Sequence, residues 1–271
     1  MIKLNGTVVE TGHFPDGTTL MKQKISHDVY CGAKIEWFFE NNEELVTLIY
    51  LTKHLRENGV KDIYLNLPYI LNARQDRVKN PEDVFTLKYF ADIINYLNFN
   101  AVQVMDAHSN VSTALINHVV PCEPTAYIDK AIQDVYSLHG GAKAEPIMAF
   151  FPDEGAMKRY SGSCGMKYAF GIKKRDWETG KIEGLDVAGC VDEIKDRVIL
   201  IVDDICSKGG TFYHSAKKLK ELGAKEVYLY ITHCENTILE GELLTSGLIE
   251  KVYTTNSIFT KEHEKIEVFK L

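Results

Sequence analysis

The chain has 271 residues, of which 45% are hydrophobic and 25% charged, and carries a formal net charge of −7. That length can bury the core of one large domain or two ordinary ones, and the balance is that of a folded, soluble protein rather than a disordered one. The negative charge excludes broad binding to nucleic acid or to an anionic membrane surface, so an anionic ligand must be met by a local cluster. No apolar run is long enough to span a bilayer, and the opening "MIKLNGTVVETGHF" lacks a signal-peptide core, so a cytoplasmic protein is expected. The cysteines at 31, 122, 164, 190, 206 and 234 form no C-x-x-C pair and no zinc spacing, which reads as reduced, mostly buried thiols.

Along the chain, "NNEELVTLIYLTKHLRENG" places Leu45, Leu48, Ile49, Thr52 and Leu55 on one helical face, with Gly59 as the stop. "KDIYLNLPY" alternates Ile63, Leu65 and Leu67 as a strand, and Arg74-Gln75-Asp76-Arg77 follows it. Asn80 and Pro81 predict the start of the next helix, whose apolar stripe is Phe90, Ile93, Ile94 and Leu97. "NAVQVMDAHS" returns to strand and ends on Asp106 and His108. A Pro- and Gly-containing stretch follows, and the alternation then restarts with "IMAFFPDEGAMKRY", "YAFGIKKRD", "VILIVDDICSKGGTF" and "KEVYLYITHCE". This pattern predicts an α/β protein of two similar halves with mostly parallel sheets, divided into residues 1–143 and 144–271.

Four predicted strands run into polar clusters: Arg74 to Arg77, Asp106 with His108, Asp153, and Asp203-Asp204. Ligands of open α/β sheets bind beyond the carboxyl ends of strands, so these clusters are the candidate site residues. After the acidic pair, Ser207, Lys208, Gly209, Gly210 and Thr211 form a loop at a predicted helix start, where backbone N–H groups and a hydroxyl can hold a phosphate. Asp203 and Asp204 can accept hydrogen bonds from the vicinal hydroxyls of a sugar, and an ordinary strand-to-helix turn leaves two such charges at the end of an apolar strand unexplained. Cys206 lies in the same stretch with no nearby His to activate it as a nucleophile.

"IVDDICSKGGT" resembles the phosphoribosyl diphosphate loop shared by type I phosphoribosyltransferases and ribose-phosphate diphosphokinases. The remaining motifs point to the diphosphokinases: "PYILNARQDR", "MDAHS", "FPDEGAMKR", "GIKKRD" and "GHFPDGT" are similar to that family's segments and occur in its order. The resemblance implies two phosphoribosyltransferase-like halves, ATP as donor, Mg²⁺ as cofactor, and transfer of a diphosphate to the anomeric hydroxyl of ribose 5-phosphate with release of AMP. It further implies Lys173 and Arg175 as the catalytic cations, His108 and Asp153 as Mg²⁺ ligands, and Arg74, Gln75, Asp76 and Arg77 at the ATP. The loop with Asp203 and Asp204 takes the acceptor, and Phe14 and Asp16 meet adenine, in the family often across a subunit interface, so a homo-oligomer of at least two chains is expected. Lys173 and Arg175 alternate on a predicted strand and so share a face, which suits a reaction whose charge gathers on the moving diphosphate.

The sequence departs from the family pattern at Thr18, which stands for Glu, and at Ser207 and Lys208, which stand for Asp and Thr. A lysine in the acceptor loop fits either the single phosphate of ribose 5-phosphate or a second phosphate, as in ADP-ribose, which short phage-encoded relatives pyrophosphorylate when rebuilding NAD⁺. Two other readings are a phosphoribosyltransferase that consumes the activated sugar and a silent regulatory homologue. The first gives "ARQDR" and "KKR" no role, and the second leaves the cationic and metal-binding residues without a purpose.

Overall fold

In the computed structural model, which describes residues 1–141, 146–175 and 182–271 and the side chains of all of these except 173–175 and 182–185, the chain forms two units, Met1–Glu123 and Pro124–Leu271. The first begins with β1 (Ile2–Leu4), β2 (Thr7–Val8) and a separate hairpin of β3 (Thr11–His13) and β4 (Thr19–Met21). It continues through β5 (Ala33–Trp37), α1 (Glu43–Glu57), β6 (Ile63–Leu67), α2 (Thr86–Tyr96), β7 (Ala101–Met105), α3 (Asn110–Leu115) and β8 (Val119–Cys122). The sheet order is β2-β1-β5-β6-β7-β8; β5 to β8 are parallel, and β1 runs antiparallel to both its neighbours.

Alternation explains the packing of this unit. Ala33, Ile35, Trp37, Ile63, Leu65, Leu67, Val102 and Val104 point to one face and share a core with Leu48, Leu51 and Leu55 of α1 and Leu87, Phe90 and Ile94 of α2. Each large apolar side chain so buried contributes about 1.5–3 kcal/mol. The alternate residues Lys34, Tyr64, Gln103 and Val120 remain exposed. Helix α1 ends as expected at Gly59, whose φ of 84° lets its N–H reach the carbonyl of Arg56. Helix α2 begins at Thr86 rather than at Pro81, because the Asp83 carboxylate accepts the N–H groups of Lys79 (2.8 Å) and Asn80 (2.9 Å) and closes a turn there.

The second unit comprises α4 (Thr125–Leu138), β9 (Met148–Phe151), α5 (Glu154–Cys164), β10 (Tyr168–Arg175), β11 (Ile182–Gly189), β12 (Val198–Cys206), α6 (Gly210–Glu221), β13 (Glu226–Cys234), β14 (Val252–Thr255) and β15 (Ile266–Phe269). Its sheet order is β11-β10-β9-β12-β13-β14-β15, with every neighbouring pair parallel except β10 and β11. The unit starts at Pro124, so the boundary falls before α4 and not at 143/144. Ile128, Ala131 and Val135 of α4 pack with Ile147, Phe151, Leu200 and Tyr230 of this sheet. Asp134 accepts the Tyr253 hydroxyl at 2.6 Å and pairs with Lys251 at 3.1 Å. The glycines that marked the expected boundary, Gly140 and Gly141, follow the end of α4 with φ of 98° and 65°.

No described helix is long and apolar enough to cross a membrane. The thiols are free; Cys164, Cys206 and Cys234 are buried, Cys122 and Cys190 partly so, and Cys31 is exposed, so burial holds for fewer of them than expected. Burial, followed by the Asp129 charge, pushes the Cys164 thiol up to about 12, as suits an inert core residue.

Candidate active site

In the second unit the chain leaves β9 for β10 on one side and later enters β12 on the other, so the sheet order reverses between β9 and β12. A crevice at the carboxyl ends of two such strands is where open α/β sheets bind ligands. Phe150 pairs with Ile201, which brings Asp153, beyond the end of β9, level with Asp203 and Asp204 near the end of β12. Asp153 is the N-cap of α5 and accepts the Ala156 N–H at 3.1 Å.

The acidic pair is met from α5. Arg159 donates from Nη1 to Asp204 Oδ2 at 3.1 Å, and its Nη2 lies 3.0 Å from Asp204 Oδ1 and 3.5 Å from Asp203 Oδ1. Asp203 Oδ1 also accepts the Asp204 N–H at 3.0 Å. Burial first, and the Asp204 charge second, hold the Asp203 carboxyl well above the ordinary carboxylate range, with Arg159 acting in the opposite direction.

The loop after β12 is shaped by close approaches. Gly209, the N-cap of α6, has φ of 81°, and a Cβ there would lie 2.9 Å from Leu243 Cδ2. A Cβ on Gly210 would meet nothing within 4 Å, so its backbone is open to a ligand. Gly241 passes so near that its Cβ would lie 1.9 Å from the Lys208 carbonyl oxygen. Ser207 Oγ bonds Thr237 Oγ1 at 3.2 Å, Thr237 donates to Glu235 Oε2 at 3.0 Å, and the Glu235 N–H donates to the Cys206 carbonyl at 2.8 Å. Lys208 Nζ lies 3.0 Å from Glu240 Oε2, both side chains being exposed, and Thr211 is exposed in the first turn of α6.

Strand β10 pairs with β9 only at Tyr168 to Phe170 and continues against β11 as an antiparallel ribbon. The backbone of Lys173 pairs with Leu185; the register shifts between Lys174, which pairs with Gly184, and Arg175, which pairs with Ile182. The side chains of Lys173 and Arg175 lie outside the described residues.

In the first unit two adjacent parallel strands bring their following segments together. After β6, Asn72 turns the chain with φ of 61° and leads into Arg74-Gln75-Asp76-Arg77; after β7, Asp106 turns with φ of 43° and leads to His108. Asp76 links the two. Its buried carboxylate accepts Arg77 Nε at 2.7 Å and Nη2 at 3.1 Å, and it feels the charge of His108. The Arg77 hydrogen bond holds this carboxyl below its ordinary range, against the opposing effect of burial. Gln75 Oε1 accepts the Thr86 hydroxyl at 2.6 Å, and Arg74, Gln75 and Arg77 are exposed. In the tip of the β3–β4 hairpin Phe14 is half exposed, while Asp16 Oδ1 accepts the Thr18 N–H at 3.0 Å and its hydroxyl at 2.7 Å. The Thr18 backbone and hydroxyl hold the Asp16 carboxyl below its ordinary range.

Thus Arg74 to Arg77 gather with His108 in one unit, and Asp153, Asp203, Asp204 and the 207–211 loop gather in the other. Sequence reasoning gave no role to Arg159, whose place in "FPDEGAMKR" on a helix following a site strand was the available signal. It also missed the 235–241 segment, which no local motif ties to the loop.

The family model for the phosphoribosyl synthetase-associated domain matches residues 183–271. The ribose-phosphate pyrophosphokinase of Pyrococcus abyssi is 28% identical over 265 residues, covering 96% of this chain and 87% of that protein. The fold matches the crystal structure of phosphoribosylpyrophosphate synthetase from Mycobacterium smegmatis with a TM-score of 0.77 at 20% identity, over 97% of this chain and 86% of that one. Both units therefore have the type I phosphoribosyltransferase-like architecture expected from their strand pattern. The ribose-phosphate pyrophosphokinase of Aquifex aeolicus is 31% identical over 235 residues, 84% of this chain and 72% of its own length, which places the chain in the ribose-phosphate pyrophosphokinase family.

Proposed function

We propose that the chain transfers the terminal diphosphate of ATP to the anomeric hydroxyl of ribose 5-phosphate, giving 5-phosphoribosyl 1-diphosphate and AMP. The observation that carries this reading is the acidic pair leading directly into an open glycine loop at the reversal point of the second sheet, in a chain of this family. The loop N–H groups and Thr211 would hold the 5-phosphate, and the acidic pair the sugar hydroxyls. Arg74, Gln75 and Arg77 would bind the ATP, with Asp76 fixing Arg77 by its two hydrogen bonds.

The anomeric oxygen attacks the β-phosphorus, the bond from that phosphorus to the bridging oxygen breaks, and AMP departs with the electron pair while the hydroxyl proton leaves to solvent. Negative charge grows on the transferring group and on AMP, and Lys173 and Arg175 are assigned to balance it. Among the described residues no group of three or more His, Cys, Asp or Glu could hold a metal ion. Mg²⁺ keeps several waters and is usually held by one or two carboxylates together with substrate phosphates. Mg²⁺ would neutralise the phosphate charge, with Asp153 offering a hard oxygen ligand and His108 a less usual one. The half-exposed Phe14 ring favours a nucleotide site completed by a second copy of the chain.

Lys208 favours a second reading, the same transfer to ADP-ribose. Its exposed ammonium pairs with Glu240 beside the loop, and a cation on this loop would suit an acceptor that carries a diphosphate. The test is AMP formation from Mg-ATP with ribose 5-phosphate or ADP-ribose, for wild type and Lys208→Thr. AMP made with ribose 5-phosphate supports the first reading, and ADP as product refutes diphosphoryl transfer. If ADP-ribose is the acceptor, Lys208→Thr lowers its use by roughly one to two decades, the worth of a charge-assisted hydrogen bond, and affects ribose 5-phosphate less. A wild type that forms no AMP with either acceptor returns the phosphoribosyltransferase and silent-homologue readings.

A further inference from the structure

Two neighbouring carboxyl groups at the end of a buried strand repel each other and lose hydration, so they hold their charge there only beside a cation. Arg159 supplies it from the helix that follows the adjacent strand. Its two terminal nitrogens take both oxygens of Asp204, in the planar fork geometry that lysine cannot reproduce. The guanidinium carbon lies 5.0 Å from the centroid of the Tyr160 ring, and that ring is fully buried. The guanidinium is therefore placed by a rigid neighbour as well as by its ion pairs.

The two aspartates are not equivalent. The Asp204 side chain is 4% exposed with both oxygens on Arg159, whereas that of Asp203 is 16% exposed and enters these contacts through Oδ1 alone. We propose that Arg159 is a positioning residue for the acceptor: it consumes Asp204 as an internal anchor and thereby orients Asp203 as the carboxyl group presented to the sugar hydroxyls. Arg159 touches neither substrate and acts through the acidic pair. Because it stands on the helix capped by Asp153, it also ties the acceptor side of the crevice to the end of β9.

This inference rests on the reading that the acidic pair receives the acceptor sugar, and the test separates the two. AMP formation by the full chain is measured against ribose 5-phosphate at saturating Mg-ATP, and against ATP at saturating acceptor. Arg159→Met should raise the acceptor KM on the order of ten- to a hundredfold, the worth of a charge-assisted hydrogen bond to the sugar, while the ATP KM stays within about threefold. Arg159→Lys keeps the charge without the fork and should fall between wild type and Arg159→Met. Arg159→Met/Asp204→Leu should be no worse than Arg159→Met, because both act through one anchor. If Arg159→Met unfolds, the comparison moves to Arg159→Lys, for which a wild-type acceptor KM overturns the proposal. An unchanged acceptor KM in folded Arg159→Met, a matching rise in the ATP KM, or additive losses in the double variant also overturns it. A wild type that makes no AMP overturns the functional reading and this inference together, whereas an active wild type with an indifferent Arg159→Met overturns the positioning role alone.

Discussion

Replacing Gly241 by alanine would drive a methyl group into the backbone of the acceptor loop. The added Cβ lies 1.9 Å from the carbonyl oxygen of Lys208 and 2.8 Å from its carbonyl carbon, so reaching even 3.0 Å from the oxygen requires the two segments to part by at least 1.1 Å. The next loop residue has little room to follow, since a Cβ on Gly209 would already meet Leu243 at 2.9 Å. The obstacle facing Gly241 is main chain and not the far end of a flexible side chain, so the strain there must be taken by the backbone. Overpacking of this kind costs about 1–3 kcal/mol, which for a unit of this size lowers the melting temperature by roughly 2–10 °C. A misplacement of about 1 Å in a binding loop costs on the order of a hundredfold in efficiency. Gly241→Ala should therefore lower kcat/KM for the acceptor by about that factor and leave the ATP KM nearly unchanged, as read by AMP release at varied acceptor and by calorimetry. A variant with wild-type melting and wild-type acceptor kinetics would refute the close-approach argument.

Four further substitutions test other parts of the structure. Lys173→Ala and Arg175→Ala should each reduce kcat far more than they weaken ATP binding, because contacts made in the transition state affect the chemical step selectively; equal losses of affinity with intact turnover would reassign them to substrate binding. Gly162→Ala, in the last turn of α5 with nothing within 4 Å of the added Cβ, should stabilise the protein by up to about 0.5–1 kcal/mol in a denaturant titration, and a destabilised variant would contradict the open space there. The Tyr253 hydroxyl first, and then Lys251, hold the Asp134 carboxyl below its ordinary range against the effect of burial. A depressed folded pKa contributes stability that is fully present above the unfolded value and is lost as pH falls through the folded one. Asp134→Asn should accordingly flatten the acid limb of the melting temperature against pH while changing acceptor KM little, and an unchanged acid limb would show that the pair does not brace α4.

Periodicity is a local property, and it carried most of the secondary structure. The two-residue alternation of Ile63, Leu65 and Leu67 and the helical stripe of Phe90, Ile94 and Leu97 appear in the fold as the sequence predicts, because side-chain direction follows from backbone geometry alone. The clusters at strand ends were legible for a related reason: charge at the end of an apolar strand is costly unless something uses it. The family motifs added roles that no single periodicity could supply. Where the chain turns on an individual hydrogen bond, as where Asp83 holds the turn ahead of Thr86, local pattern placed the helix start too early.

Three features depended on partners remote in sequence. Helix α4 looks like the close of the first half, yet Asp134 meets Lys251 and Tyr253 more than a hundred positions away, so the domain boundary was decided by packing that the linear order conceals. Lys208 and Glu240 approach through the fold of the 235–241 segment against the loop, as does the contact that requires glycine at 241. Arg159 reaches Asp203 and Asp204 because β9 and β12 are neighbours in the sheet, although β10 and β11 separate them in the chain. Composition and period determined which residues must leave water and on which side of each element they lie. Which strands stand side by side, and hence which cation compensates the acidic pair, was decided by tertiary structure, because sheet order is set by burial of whole faces and not by any local run of residues.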